Sequence, residues 1–281
     1  MSTVLRIVHR TGYVYEKPAT ASYNEIRMTP VPTRQQRLIS ASLEITPTPW
    51  TNYFVDYWNT AVTAFEVHEK HKELTIVSTS VVAVDRATPR GKDLTWAQLR
   101  SYEVVDELSE LLDITARVEP PQELIAFVRD HTSADTRPAE FVAEVAAFVR
   151  ERVAYVPGAS GVHTRAAQVW EAGAGVCQDQ AHLVIGAVRA AGIPARYVSG
   201  YVVPGPAGEI GTAQRGESHA WVQYWDGTWI GLDPTNGVAP GEQHVEVAFG
   251  RDYGDVAPLR GIYRGGGRSR MFVEVAVTRE G

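Results

Sequence analysis

The 281-residue sequence contains a single cysteine, Cys177, which excludes a framework of intramolecular disulfides. A free thiol persists most simply in a reducing compartment, so we expect a cytoplasmic protein. No run approaches about 18 consecutive apolar residues, and residues 1–10 lack an apolar core of signal-peptide length. Neither a membrane span nor a secretion signal is therefore expected.

Positive charge is also scarce, since 27 lysines and arginines face 33 aspartates and glutamates, for a net charge of −6. This balance argues against nucleic acid or an anionic membrane surface as a general partner. We expect no metal, because there is one cysteine and no pair of histidines four residues apart on a helix. No glycine-rich phosphate loop follows a strand, and no cofactor is expected.

The residues around the cysteine predict a buried helix. Residues 183–191 are small or apolar on almost every side, and Gly192 and Pro194 then signal a helix end. Cys177 would lie at or next to the start of this helix, where unpaired N–H groups and the helix dipole favour a thiolate. Taken alone, the segment leaves open that Cys177 is an inert core residue.

A second stretch predicts a β-hairpin. Residues 217–225 alternate as a strand, residues 226–227 form an Asp-Gly turn, and residues 228–232 return. This register places His219 and Asp233 roughly opposite each other, about 5 Å apart at Cβ. A carboxylate could then hold one imidazole nitrogen while the other faces a thiol. The order Cys177, His219, Asp233 thus matches the nucleophile, base and orienting acid of a triad.

Four stretches carry a family resemblance in their order and spacing: GVCQDQAH, GIPARYVSGY, SHAWVQYW and WIGLDPTNG. They resemble the core of the transglutaminase-like superfamily of papain-type thiol enzymes. Residues 244–266 resemble the C-terminal signature of its bacterial branch, which has an N-terminal β domain. The resemblance covers nearly the whole chain and implies Cys177 as nucleophile, His219 as base and Asp233 as orienting acid.

The predicted fold class is α+β. Residues 1–90 are expected to form an antiparallel β-sandwich domain, which starts with a hairpin-like region around Leu5 and Tyr15. Residues 91–267 would form the papain-like, transglutaminase-like core, with the cysteine helix packed on an antiparallel sheet. The resemblance implies that strands at about 268–281 return to the β domain.

Within the predicted core, helical spacing indicates helices over residues 121–131 and from Pro138 onward. Residues 204–216 are glycine-rich and polar. They are expected to form a surface loop at the edge of the active site.

Three further residues are candidates for the site. Gln178 could donate to an oxyanion, or could be a polar residue at a helix end. Tyr155 is a candidate oxyanion donor, because related enzymes can place such a donor upstream of the nucleophile. Arg251 could clamp a substrate carboxylate, or could pair with Asp252 or Asp255.

The sequence is interpreted as that of a cysteine-dependent acyl-transfer enzyme, which acts on peptide or glutamine amides through a thioester. Hydrolysis is favoured, because water at about 55 M outcompetes an amine unless the site is dry. One alternative is a true transglutaminase, with an amine as co-substrate. The other is a non-catalytic binding or assembly protein that retains the fold.

Overall fold

The structure is a computed structural model that describes residues 2–87, 89–133, 135–203 and 209–281. The strands are β1 (Thr3–Ile26), β2 (Gln36–Thr46), β3 (Trp50–Val55), β4 (Ala61–Val67), β5 (His71–Val84), β6 (Ala154–Tyr155), β7 (Ala174–Gly175), β8 (Ala195–Val202), β9 (Ala213–Trp225), β10 (Trp229–Leu232), β11 (His244–Gly250), β12 (Leu259–Gly265) and β13 (Ser269–Arg279). The helices are α1 (Trp96–Leu99), α2 (Tyr102–Glu107), α3 (Gln122–His131), α4 (Pro138–Arg152), α5 (Ala166–Ala172), α6 (Cys177–Ala190) and α7 (Tyr253–Val256). Across these ranges, no helix combines the length and apolar character needed to cross a membrane.

Eleven strands form one antiparallel sheet, in the order β11-β8-β9-β13-β1-β4-β3. Strand β10 pairs with β9, strands β5 and β12 pair with β1, and β2 pairs with β5. Strands β6 and β7 form a separate parallel pair. The helices lie in the middle of the chain, between β5 and β8, except for α7. The predicted α+β class, with helices packed on an antiparallel sheet, is confirmed.

The first strand differs from the prediction. A hairpin-like region was expected near Leu5 and Tyr15, but β1 is one strand of 24 residues. Its first half pairs with β13 on one edge and β5 on the other, and its second half pairs with β12 and β4. Because β13 supplies the neighbour that a local hairpin would have supplied, no turn is needed.

Helix α6 is the buried helix that the apolar pattern predicts. Its residues 179–189 are all buried, and it contacts α3, α4 and α5 on one side and β8 and β9 on the other. Gly186 permits close packing, since a Cβ there would lie 1.9 Å from the carbonyl oxygen of Val118. The helix ends at Ala190, before Gly192, whose φ of +88° suits glycine. Helix α3 begins within one residue of the predicted start and ends at the predicted residue 131, and helix α4 begins at Pro138, as predicted.

The end of the loop expected over residues 204–216 differs from the prediction. Residues 204–208 lie outside the described residues. Residues 213–216 belong to β9, and Gly216 pairs with Val275 of β13. This pairing joins parts of the chain that are far apart in sequence, so the local polar composition did not reveal it. Strand β9 therefore runs from β13 into the hairpin that carries His219.

A buried polar cluster joins the N-terminal strands to β11. The Arg86 guanidinium lies 3.2 Å from the Glu246 carboxylate, and both side chains are 2% exposed. Gln223 donates to Glu246 at 2.8 Å, and the Glu246 backbone N–H donates to the Gln36 side chain at 2.9 Å. Removing one partner of such a buried pair leaves an uncompensated charge. The cluster therefore ties the two parts of the sheet together.

Candidate active site

Cys177 is the first residue of α6, and its side chain is half-buried. The start of the helix is held by Asp179, whose carboxylate accepts the Val176 backbone N–H at 2.8 Å and the Ser160 hydroxyl. Burial raises the pKa of Asp179, and these two hydrogen bonds act in the opposite direction. Asp179 therefore shapes the loop that presents the thiol.

The hairpin of β9 and β10 brings His219 and Asp233 together. In its ladder Leu232 faces Val222, so the next residue, Asp233, falls opposite Trp221. His219 is two residues further along the same face of β9, and the pair is diagonal rather than directly opposite as predicted. The His219 Nε2 still donates to the Asp233 Oδ2 at 2.7 Å.

The turn after β10 aims the Asp233 side chain. The Asp233 carbonyl accepts the Gly237 N–H at 2.8 Å, and Gly237 has a φ of +67°. A Cβ on Gly237 would lie 1.4 Å from the Arg150 guanidinium. The turn thus needs a glycine both for its left-handed backbone and for the space that Arg150 fills.

Five donors converge on the Asp233 carboxylate. Its Oδ1 accepts the backbone N–H groups of Thr235 at 3.0 Å and Asn236 at 3.1 Å. Its Oδ2 accepts from His219, from the Asn236 amide at 2.7 Å and from His244 at 3.1 Å. Burial alone would raise the pKa of Asp233, but the hydrogen bonds and the charge of His219 hold it well below its usual range. The carboxylate is therefore ionised although it is fully buried.

His219 connects this carboxylate to the thiol. Burial lowers its pKa, but the hydrogen bond to Asp233 and the hydrogen bond and charge of Cys177 outweigh burial and raise it to about 10. Because Nε2 is used by Asp233, the second ring nitrogen, Nδ1, is left for Cys177. The raised pKa favours the protonated imidazolium of His219 between the Asp233 carboxylate and Cys177.

Sequence reasoning missed His244 and Asn236. The His244 Nδ1 accepts the Gly241 N–H at 3.2 Å, so its Nε2 carries the hydrogen donated to Asp233. Burial lowers the pKa of His244, which is neutral beside charged His219. Asn236 follows Asp233 by three residues in the turn, a local signal that could have identified it. His244 has no comparable signal.

His219, Asp233 and His244 are of metal-ligating type, and their ligand atoms lie within 4.8 Å of one another. Both imidazoles direct their Nε2–H groups at the same carboxylate oxygen, at 2.7 and 3.1 Å. A metal would need these nitrogens deprotonated. The geometry is that of a hydrogen-bonded cluster.

A cleft opens beside His219. A cavity of about 290 Å³ is lined by Tyr155, Val202, Glu217, His219, Thr235 and Asn236. An adjoining cavity of about 540 Å³ shares Tyr155 and Glu217. A larger cavity of about 900 Å³ lies against β1, β3, β4 and β12. None of the triad residues lines it, so size alone does not identify the site.

Tyr155 and Gln178 lie near the thiol. The Tyr155 backbone pairs with Gly175, two residues before Cys177. Burial, then the charges of Cys177 and Glu217, raise the pKa of Tyr155, so its hydroxyl stays protonated and can donate. Gln178 is half-buried directly after Cys177.

Arg251 makes the ion pair that was one of its two predicted roles. Its guanidinium is bidentate on Asp255, at 2.9 and 3.1 Å. Its carbonyl accepts from Arg189, twelve residues along α6 from Cys177 and so about 18 Å away along the helix axis. The alternative, a structural ion pair, is the arrangement found.

Two families match the chain. The bacterial transglutaminase-like N-terminal region matches residues 5–83, and the transglutaminase-like superfamily matches residues 125–234. An uncharacterized protein of Mycobacterium leprae is 43% identical over 275 residues, which cover 98% of both chains. A protein-glutamine gamma-glutamyltransferase of Pseudomonas aeruginosa is 38% identical over 129 residues, which are 42% of this chain and 19% of that protein.

The fold is similar to that of a crystal structure from Cytophaga hutchinsonii, provisionally assigned as a cysteine protease. The TM-score is 0.77 at 23% identity, and the match covers 99% of this chain and 91% of that one. With the family matches, the chain belongs to the transglutaminase-like superfamily and carries the N-terminal region of its bacterial members.

Proposed function

We propose that the protein is a cysteine-dependent acyl-transfer enzyme that acts on peptide or glutamine amides through a thioester. One observation carries this proposal. Cys177 begins a buried helix and interacts with His219, whose Nε2 donates to the buried Asp233. We further propose a reducing, cytoplasmic setting, because a lone thiol remains free there.

In the first half of the reaction, the Cys177 thiolate attacks the amide carbonyl carbon and a carbon–sulfur bond forms. The N–H groups of Asp179 and Gln180 donate to the Val176 carbonyl, at 2.9 and 3.1 Å. The N–H groups of Cys177 and Gln178 precede them in the first turn of α6 and have no carbonyl partner among the described residues, so they can donate to the oxyanion. The Tyr155 hydroxyl or the Gln178 amide would be a further donor. His219 then gives its proton to the leaving nitrogen, the carbon–nitrogen bond breaks and a thioester remains.

In the second half, neutral His219 takes a proton from water as the water oxygen attacks the thioester. The carbon–sulfur bond breaks, the acid leaves and the thiolate–imidazolium pair is restored. Asp233 fixes the orientation of His219 throughout, and His244 and Asn236 fix Asp233.

Hydrolysis is favoured over amine transfer because the cleft is open to water. The exposed side chains of Arg215 and Ser218 line its larger part. Water at about 55 M outcompetes an amine in such a site. Amine transfer is the second candidate, favoured by the 38% identity over 129 residues to the Pseudomonas gamma-glutamyltransferase.

The test is to incubate wild type and Cys177→Ala with a glutamine-containing peptide library and a labelled primary amine. We expect hydrolysed peptides, identified by mass spectrometry, to exceed amine adducts in wild type and to be absent with Cys177→Ala. If amine adducts predominate in wild type, the reaction is amine transfer and not hydrolysis. Equal products from both variants would contradict any role of the thiol.

A substrate-free test uses iodoacetamide alkylation of the single cysteine as a function of pH, in wild type and in His219→Ala. We expect alkylation to remain fast well below pH 8.5, the usual pKa of a free thiol, and to slow when His219 is removed. Slow alkylation in both proteins would favour the non-catalytic alternative.

A further inference from the structure

Glu217 forms a wall of the cleft next to His219. The two residues are separated by one position on β9, so their side chains leave the same face of the strand about 7 Å apart. Both line the 290 Å³ cavity, together with Tyr155 and Asn236. A substrate that occupies this cavity beside His219 therefore lies close to the Glu217 carboxylate.

Glu217 has no countercharge in the described ranges of the chain, where no ion pair includes it. The adjacent Glu274, in contrast, lies 3.4 Å from Arg10. Arg215 lines the larger part of the cleft, but it is exposed and makes no ion pair with Glu217. A half-buried carboxylate without a partner loses part of its hydration. A bound cation would compensate for this loss.

Tyr155 provides the second element of a cation site. The residue is 46% exposed, and it lines both cavities beside Glu217. The charge of Glu217 contributes, after burial and Cys177, to the raised pKa of Tyr155, so the two side chains interact. An aromatic face and a carboxylate both attract an ammonium or guanidinium group.

We propose that Glu217 and Tyr155 form a cation-binding subsite, which selects substrates with an ammonium or guanidinium group next to the reacting amide. The proposal rests on the proposed function, because it concerns the cleft in which that reaction would occur.

The cation belongs to the acyl donor and not to an attacking amine. An amine must be neutral to attack a thioester. A carboxylate beside it would favour the protonated ammonium and oppose the attack. On the amide substrate the charge takes no part in bond making, so Glu217 can bind it without this conflict.

The first experiment uses the only cysteine as the reporter. Three methanethiosulfonates are compared: a neutral methyl, a cationic trimethylammonium-ethyl and an anionic sulfonatoethyl reagent. In each case the thiolate attacks the thio sulfur, a mixed disulfide forms and methanesulfinate leaves. Rate constants are measured for wild type, Glu217→Gln and Glu44→Gln. The last variant removes the same charge from an exposed position on β2.

We expect Glu217→Gln to lower the ratio of the cationic to the neutral rate constant about fivefold. The attraction between the Glu217 carboxylate and a reagent cation roughly 8 Å away gives a change of this size, when the effective dielectric constant lies between the values for a protein surface and for water. The anionic ratio should rise by a similar factor. Glu44→Gln should leave both ratios unchanged. Tyr155→Leu should lower the cationic ratio about twofold. This second variant tests the subsite even if Glu217→Gln fails to fold.

An unchanged ratio in Glu217→Gln and Tyr155→Leu, or an equal change in Glu44→Gln, would overturn the subsite. If the wild-type thiol reacts quickly but shows no preference for the cationic reagent, the subsite is overturned and the proposed function is not. A wild-type thiol that does not react with the neutral reagent would overturn the proposed function and the subsite with it.

The second experiment tests the acyl-donor assignment. Donor peptides with lysine or acetyl-lysine beside the reacting glutamine are compared by kcat/KM in wild type and Glu217→Gln. We expect wild type to prefer lysine about fivefold and Glu217→Gln to lose that preference. A preference of the same size in both proteins would overturn the assignment.

Discussion

Asp233 and Glu246 are both buried carboxylates, but they have different positive partners. Asp233 is 0% exposed and holds His219, whose charge changes during the proposed reaction. Glu246 is 2% exposed and holds Arg86, whose guanidinium is always charged. Equal burial thus supports two different tasks. In the proposed reaction the Asp233 cluster keeps a transferable proton in place, whereas the Glu246 cluster joins parts of the sheet with a fixed charge pair.

The largest effect should come from Asp233→Asn, which keeps the shape of the side chain and removes its charge. Without the carboxylate His219 loses its orientation and its support for the imidazolium. The thiol would then resemble a free one, which is only about 1% thiolate at pH 6.5. We expect alkylation by iodoacetamide to slow roughly a hundredfold at that pH.

Glu246→Gln is the matched control, because it makes the same chemical change at the other buried carboxylate. Its alkylation rate should stay within about twofold of wild type in the folded protein, since Glu246 does not touch the triad. Comparable losses of reactivity in both variants would show that the two clusters are not separate in function.

Arg86→Ala should reverse the pattern, with a large loss of stability and little loss of reactivity. It leaves the Glu246 carboxylate buried without its ion-pair partner, which costs about 3–5 kcal/mol in the free energy of unfolding. Urea denaturation followed by fluorescence measures this change. Arg37→Ala, at an exposed position of β2, is the control and should change the free energy by less than about 0.5 kcal/mol. If Arg86→Ala changes the free energy of unfolding by a similarly small amount, the Arg86–Glu246 pair does not join the two parts of the sheet.

The smallest perturbation is a pH titration of the two histidines that share Asp233. The pKa of His219 is raised to about 10 and that of His244 is lowered. The contribution of His219 to stability is therefore full below about pH 6.5 and is lost as the pH rises towards 10. The contribution of neutral His244 is present above about pH 6.5 and is lost as the pH falls.

Nitrogen NMR of the imidazole rings checks this prediction, with His219→Gln and His244→Gln used for assignment. At pH 8 we expect one ring protonated on both nitrogens and the other protonated on Nε2 only. If both rings titrate together near pH 6.5, the predicted difference between the pKa values of His219 and His244 is wrong.

The local parts of the fold and site could be predicted from the sequence. Helix α6 follows from an apolar run that ends in glycine and proline, and the hairpin follows from alternation around an Asp-Gly turn. Each signal lies within about twenty residues. Since helix position and turn register are local properties, the sequence alone identifies Cys177, His219 and Asp233 as candidates for one site.

The remaining parts depend on distant contacts. Arg86 and Glu246 are 160 positions apart, and neither has neighbours that indicate a buried ion pair. The length of β1 depends on β13, at the other end of the described chain. The role of His244 depends on the path of residues 237–244 back to Asp233. The sequence leaves open whether Arg251 makes an ion pair or contacts a substrate, and the pair with Asp255 is visible only in the structure.

The central position of β1 has a consequence for synthesis on the ribosome. Its neighbour β13 begins about 240 residues after β1 ends, so at about 5–20 residues per second the partner emerges roughly 10–50 s later. Until then β1 has one open edge, and β9 lacks the strand that anchors its start. The nascent chain therefore exposes the open edge of β1 until β13 is made. A chaperone that covers strand edges would act on this intermediate, and the strand that carries His219 would gain its β13 neighbour only when residues 269–279 have been made.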